Sequence, residues 1–138
     1  VAVSRRGVFW VSQIDAAQVT RGTLAEGAPR LEGATRVGAG PAHVATDRDG
    51  TRAFTADQFD ASVTVLGASG GTGALRIPLG DAGFNLVATA DGARVYATTA
   101  GGRLQVIDVG RAAVVATLAV GASANGLALD EARGRLYV

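Results

Sequence analysis

The sequence predicts an all-β protein made of consecutive four-stranded antiparallel sheets, because two series of glycines repeat along it with the same spacing. The first series consists of Asp49-Gly50, Asp91-Gly92 and Gly134, and the second of Gly38, Gly80 and Gly121. An aromatic residue follows each glycine of the first series three or four residues later, at Phe54, Tyr96 and Tyr137, and Trp10 follows Gly7 in the same way. Coupled series of this kind indicate a tandem repeat of about 42 residues.

Each repeat unit divides into four short extended segments, separated by the Gly, Asp and Asn residues that favour turns. We predict strands at 43–46, 52–55, 62–66 and 74–79 in one unit, and at 86–89, 94–97, 103–107 and 113–120 in the next. Incomplete sets lie at 8–11, 126–129 and 135–138. The glycine-rich stretch 67–73 lacks the lysine of a phosphate-binding loop, so we predict a hairpin there.

The alanine-rich segment 111–119 is the place where a helix competes with a strand. Its residues Val114, Val115 and Thr117 are β-branched, which favours an extended backbone. It also occupies the fourth-strand position of its repeat, so we predict a strand.

Four strands in about 42 residues, repeated in tandem, are typical of β-propeller blades. One such sheet has two faces and buries them by packing on its neighbours. We expect an incomplete blade at 1–38, blades at 39–80 and 81–121, and the start of another at 122–138. The chain starts without Met and stops within a predicted strand, so the expected form is a partial β-propeller, an open arc rather than a closed ring.

The amino-acid composition argues against several kinds of partner and functional site. The chain has 13 Arg, no Lys and 12 acidic residues, which are interspersed, so we expect no nucleic-acid surface. No apolar run is long enough for membrane insertion. Cysteine is absent, which excludes disulfides and thiolate metal sites. Residues 67–71 read Gly-Ala-Ser-Gly-Gly and match the Gly-x-Ser-x-Gly pattern, but a predicted strand follows them instead of the helix of a nucleophile elbow. The sequence therefore predicts no catalytic residue, metal or cofactor in this chain.

The third unit resembles the YVTN repeat β-propellers, whose repeat contains an Asp-Gly turn, a Tyr-Val-Thr-Asn strand, a Val-x-Val-Ile-Asp strand and a Val-Val-Ala-Thr-Ile-x-Val-Gly ending. Residues 91–96 read Asp-Gly-Ala-Arg-Val-Tyr, 104–108 read Leu-Gln-Val-Ile-Asp, and 114–121 read Val-Val-Ala-Thr-Leu-Ala-Val-Gly. The second unit is looser, with Phe54-Thr55-Ala56-Asp57 in the signature position. The resemblance covers about 40–138.

This resemblance implies a seven-bladed parent protein that supplies the rest of the propeller. Members are often exported, which implies a periplasmic or secreted location. Two functions stay open. The first is a non-catalytic binding or scaffold module, and the alternative is part of a propeller enzyme, either a lactonase-like hydrolase or a haem- or quinone-linked oxidoreductase subunit. We favour the module.

The loops between second and third strands and the links between blades should share one face, near the central channel. We expect an unknown small molecule or protein to bind at this channel face. The polar residues that would gather there are His43, Asp57, Asp60, Asp81, Asn85, Arg103 and Asn125.

His43 is the single histidine of the chain. In YVTN-type repeats a His or Asn often precedes the inner strand, and here that position is expected to hold Ala42, Asn85 and Asn125, with His43 displaced by one. A metal site would need a second His or a Cys nearby in the sequence pattern. We therefore expect a structural or exposed role for His43 rather than a metal site.

Overall fold

The computed structural model describes residues 1–67 and 74–138, which form three four-stranded antiparallel sheets and one two-stranded sheet. Blade 1 consists of β1 (Ala2–Val3), β2 (Val8–Gln13), β3 (Gln18–Ala25) and β4 (Ala28–Arg36). Blade 2 consists of β5 (Pro41–Thr46), β6 (Arg52–Asp57), β7 (Ser62–Gly67) and β8 (Leu75–Pro78). Blade 3 consists of β9 (Gly83–Ala88), β10 (Arg94–Thr99), β11 (Arg103–Asp108) and β12 (Ala113–Ala119). The last sheet pairs β13 (Ala128–Asp130) with β14 (Arg135–Tyr137), on either side of a 3₁₀ turn at Glu131–Arg133.

The all-β prediction is confirmed, and segment 111–119 contains a strand, β12, rather than a helix. Residues 1–38, for which an incomplete blade is expected, contain four strands, of which β1 has only two residues. The predicted hairpin at 67–73 lies, except for Gly67, outside the described residues. No helix of the described part of the chain is both long and apolar enough to cross a membrane.

The sheets pack face to face and bury two separate cores between them. The first core lies between blades 1 and 2 and contains Trp10, Val19, Val44 and Leu66 among others. The second lies between blades 2 and 3, around Phe54, Ile77, Leu86, Val95 and Ile107. Both faces of blade 2 are therefore buried, which explains why five consecutive residues are buried in each of β6 and β7.

The first glycine series marks the turns between the first and second strands of each blade. Gly7, Gly50, Gly92 and Gly134 have φ of 74°, 74°, 66° and 61°, in the left-handed region that glycine adopts without strain. At Gly50 a side chain would also collide, because its Cβ would lie 2.6 Å from Cβ of Val8 in the neighbouring blade. The repeat in the sequence thus follows from a repeated turn.

These turns are joined between blades by hydrogen bonds. The backbone N–H of Arg5 donates to the carbonyl of Arg48 at 2.9 Å, and the N–H of Arg48 donates to the carbonyl of Ala90 at 3.0 Å. At the next junction the N–H of Ala90 donates to a carboxylate oxygen of Glu131, also at 3.0 Å. We call this end of the blades the turn end. The opposite end, which holds the links 37–40 and 79–82 and the loops 58–61 and 100–102, is the loop end.

Candidate functional site

The first strands of the four sheets lie side by side and line a groove. Its volume is about 360 Å³, and its walls are Ala2 and Val3 of β1, His43–Thr46 of β5, Leu86–Ala88 of β9, and Leu129 of β13. Most of these side chains are small and apolar. The groove runs along the inner strands of the arc, whereas the expected channel face is the loop end.

The inner strands β5 and β9 each begin with a β-bulge, which determines which of their residues are equivalent. In β5, Pro41 pairs with Asp57 and His43 with Ala56, so Ala42 is the extra residue. In β9, Gly83 pairs with Thr99 and Asn85 with Thr98, so Phe84 is extra. The expectation that Asn85 corresponds to Ala42 and that His43 is displaced is therefore wrong. His43 and Asn85 occupy the same position in adjacent blades, because both strands carry the same bulge.

His43 lines the groove and is half-buried. Its Nδ1 atom is buried, and no hydrogen-bond partner for it lies in the described part of the chain. Burial lowers the pKa of His43 below its ordinary value of 6.5, because the charged imidazolium loses hydration. The lowered pKa favours the neutral form of the ring at pH 7.

The buried imidazole predicts a pH dependence of stability. The unfolded chain protonates His43 at about its ordinary pKa of 6.5, whereas the folded chain resists protonation, so the free energy of unfolding should fall as the pH drops below 6.5. His43→Asn, which copies the equivalent Asn85, should lack this part of the decline. Urea unfolding of both proteins between pH 5 and 8, fitted as a difference, measures it. Parallel curves for the two proteins would contradict the assignment.

Asp57 is a structural carboxylate and not a free ligand group. It is fully buried at the end of β6 and accepts hydrogen bonds from the hydroxyls of Thr55 at 2.7 Å, Ser62 at 3.3 Å, and Thr64. The hydroxyl of Thr64 in turn accepts the backbone N–H of Gly38 at 3.2 Å, in the link between blades 1 and 2. Burial raises the pKa of Asp57 above its ordinary value, although the three hydroxyls oppose this effect.

Asp60 and Asp81 connect loops at the loop end. Asp60 accepts the N–H of Ala39 at 2.8 Å and forms an ion pair with Arg76 at 3.1 Å. Asp81 accepts the N–H of Gly101 at 2.6 Å, and this bond is the main reason why the pKa of Asp81 is lowered. Each aspartate therefore joins a link between blades to a loop of the following blade.

The remaining two expected site residues are exposed. Arg103 begins β11, and its charge contributes a small part of the lowered pKa of Asp81. Asn125 contributes a backbone carbonyl, which accepts from the hydroxyl of Thr98 at 3.2 Å. Within 1–67 and 74–138, no hydrogen bond or ion pair joins any two of the seven expected side chains. Arg103 acts on Asp81 only through its charge, and the grouping of the seven residues at one site stays a prediction.

A polar pocket at the turn end was not expected from the sequence. It measures about 260 Å³ and includes Arg5 and Arg48, which belong to turns of adjacent blades. The available signal was the position of each arginine two residues before a turn glycine, Gly7 or Gly50. The sequence predicts a binding face at the opposite end and therefore does not predict this pocket. Among the described residues, no group of three or more His, Cys, Asp or Glu residues could hold a metal ion.

Comparison with known proteins rests on structure, because no protein family profile and no curated protein sequence matches the chain. Hydrazine synthase of Kuenenia stuttgartiensis superimposes with a TM-score of 0.77 at 22% identity, over 91% of this chain and 36% of that one. The β-propeller domain of Myceliophteria thermophila Cps50 (Swd1) also gives a TM-score of 0.77, at 19% identity, over 98% of this chain and 46% of that one. The chain has the fold of a partial β-propeller.

A third structural match is a functionally unknown protein from Desulfotomaculum acetoxidans, with a TM-score of 0.63 at 18% identity over 97% of this chain and 38% of that one. This partial propeller thus spans less than half the length of each of the three structures. At such identities the similarity establishes the fold alone. The narrower resemblance to YVTN repeats stays a prediction.

Proposed function

We propose that this partial propeller is a non-catalytic binding module of a larger propeller protein, and that its ligand occupies the groove along the inner strands. The observation that carries the proposal is His43, whose neutral imidazole borders the groove and has a buried Nδ1 atom without a partner in the described chain. Buried polar atoms in proteins are normally hydrogen-bonded, so a ligand that turned the ring and brought this atom to the groove would supply the missing partner.

The groove suits a ligand with an apolar body. Ala45, Val87 and Ala88 offer small apolar surface, and His43 offers one hydrogen bond at the loop end. Asn85 has the equivalent position in the next blade and could provide a second polar contact. Sites of this composition take their affinity from apolar contact and their orientation from a few polar groups.

A binding role is favoured over catalysis by the state of the acidic residues. Asp57, Asp60 and Asp81 are engaged with hydroxyls and backbone N–H groups that hold blades and loops together. One structural neighbour is a hydrazine synthase, but its identity to this chain is too low to transfer an activity. The YVTN resemblance leads us to propose that the parent protein is periplasmic or secreted, which cell fractionation of the parent would test.

The test is a screen of small neutral apolar compounds, each with one hydrogen-bonding group, against ¹⁵N-labelled protein. Compounds that bind in the groove should shift the imidazole nitrogen signals of His43. In the variant His43→Ala these compounds should bind about tenfold more weakly, the effect of one lost hydrogen bond. Arg30→Gln on the outer strand β4 is the control and should leave binding unchanged. Compounds that bind without moving the His43 signals, or bind His43→Ala equally well, would refute the proposed site.

A further inference from the structure

The polar pocket at the turn end continues the groove. The two share Val3, Thr46 and Ala88, so an elongated ligand in the groove would reach the pocket with one end. The pocket's polar rim comes from the turns of three blades and from Glu131. Its geometry is maintained by the main-chain hydrogen bonds that join Arg5 to Arg48 and Arg48 to Ala90.

The acidic groups near this pocket already have partners. Asp47 is buried and accepts both the backbone N–H of Thr51, at 2.8 Å, and its hydroxyl. Glu131 accepts the backbone N–H of Ala90 at 3.0 Å. These carboxylates are thereby oriented towards the protein's own donors.

The two arginines are in the opposite situation. Arg5 and Arg48 are exposed, and neither forms an ion pair within residues 1–67 and 74–138. The neighbouring Arg6 does form one, with Asp49 at 3.2 Å. Two guanidinium groups on adjacent hydrogen-bonded turns thus border one pocket without an ion pair in the described chain, although the carboxylates of Asp47 and Glu131 also line the pocket.

We infer that Arg5 and Arg48 bind the carboxylate of an elongated monocarboxylate whose apolar body lies in the groove. Guanidinium groups match the planar carboxylate and can bind it with two parallel hydrogen bonds. The adjoining groove wall, with Val3, Ala45 and Val87, suits an alkyl or aryl chain rather than a second charge. The claim that the arginines bind a carboxylate depends on the pocket alone. The claim that the apolar body lies in the groove rests on the proposed function.

Calorimetric titration with acetate, hexanoate and hexanamide separates the two parts. We expect hexanoate to bind more tightly than acetate, because its chain enters the groove, and more tightly than hexanamide, because the amide lacks the charge. In the double variant Arg5→Gln/Arg48→Gln, hexanoate should bind at least about tenfold more weakly, the usual loss when hydrogen bonds to a charged group are removed. The backbone bonds of both residues remain in these variants, and Arg30→Gln is the matched control.

The other possible results test the arginine site and the groove separately. Hexanoate binding that is unchanged in the double variant, or matched by hexanamide, would overturn the arginine site. Acetate and hexanoate binding equally, both weakened by the double variant, would support the carboxylate site and overturn the groove as the place of the apolar body. Hexanamide binding that responds to His43→Ala and not to the arginine variants would support the groove alone.

Discussion

Replacing Phe54 by alanine should lower the free energy of unfolding by about 3–5 kcal/mol, the usual cost of deleting a fully buried aromatic ring. Phe54 has no exposed surface and lies in the core between blades 2 and 3, where Ile77 and Leu86 surround it. Because this core contains side chains of both blade 2 and blade 3, the loss of the ring should destabilise both blades together. Urea unfolding followed by circular dichroism measures it.

The repeat offers matched controls for this substitution. Tyr96 and Tyr137 stand in the same position of later units, but Tyr96 is half-buried and Tyr137 is 53% exposed. Tyr96→Ala should therefore cost less than Phe54→Ala, and Tyr137→Ala should change stability by no more than about 0.5 kcal/mol, as at ordinary surface sites. Equal costs at the three positions would show that burial between blades does not determine stability here.

Replacing Asp57 by alanine should cost about 2–4 kcal/mol, because three hydroxyl groups would lose their shared acceptor inside the protein. The bond from Gly38 to Thr64 would also lose its support, which would loosen the link between blades 1 and 2. Asp57→Asn keeps an acceptor oxygen and should cost less than half as much. Urea unfolding at pH 7 compares the two variants, and equal losses would contradict the role given to the oxygen.

Asp57 should also make the free energy of unfolding fall as the pH rises. The pKa of Asp57 is raised in the folded state above its ordinary value of 3.8, so the folded chain binds this proton more readily than the unfolded chain does. Its contribution to stability is fully present below 3.8 and is lost as the pH rises through the raised pKa. Asp57→Asn should lack this loss. The difference in free energy of unfolding between the two proteins, followed upwards from pH 3.5, should change in favour of the variant, and a constant difference would exclude the raised pKa.

Much of the fold could be predicted because its signals are local. Gly50 and Gly92 mark turns that need positive φ, and runs such as 62–66 are extended by their own side-chain preferences. Stacking was predictable too, since one sheet cannot bury two faces alone. The candidate site was harder to predict from the sequence. Asp57 looked like a free loop carboxylate in the sequence, yet it is completely buried among hydroxyls.

The sequence by itself determined the length of the repeat, the strands and the turn glycines, because each depends on residues that are neighbours along the chain. Only the tertiary structure decided that bulges at Ala42 and Phe84 bring His43 and Asn85 into equivalent positions, and that Arg5 and Arg48 share a pocket. The physical reason is that these contacts join residues that lie far apart in the sequence. They join one blade to the next, and a hydrogen bond such as that from Arg5 to Arg48 leaves no trace in local composition.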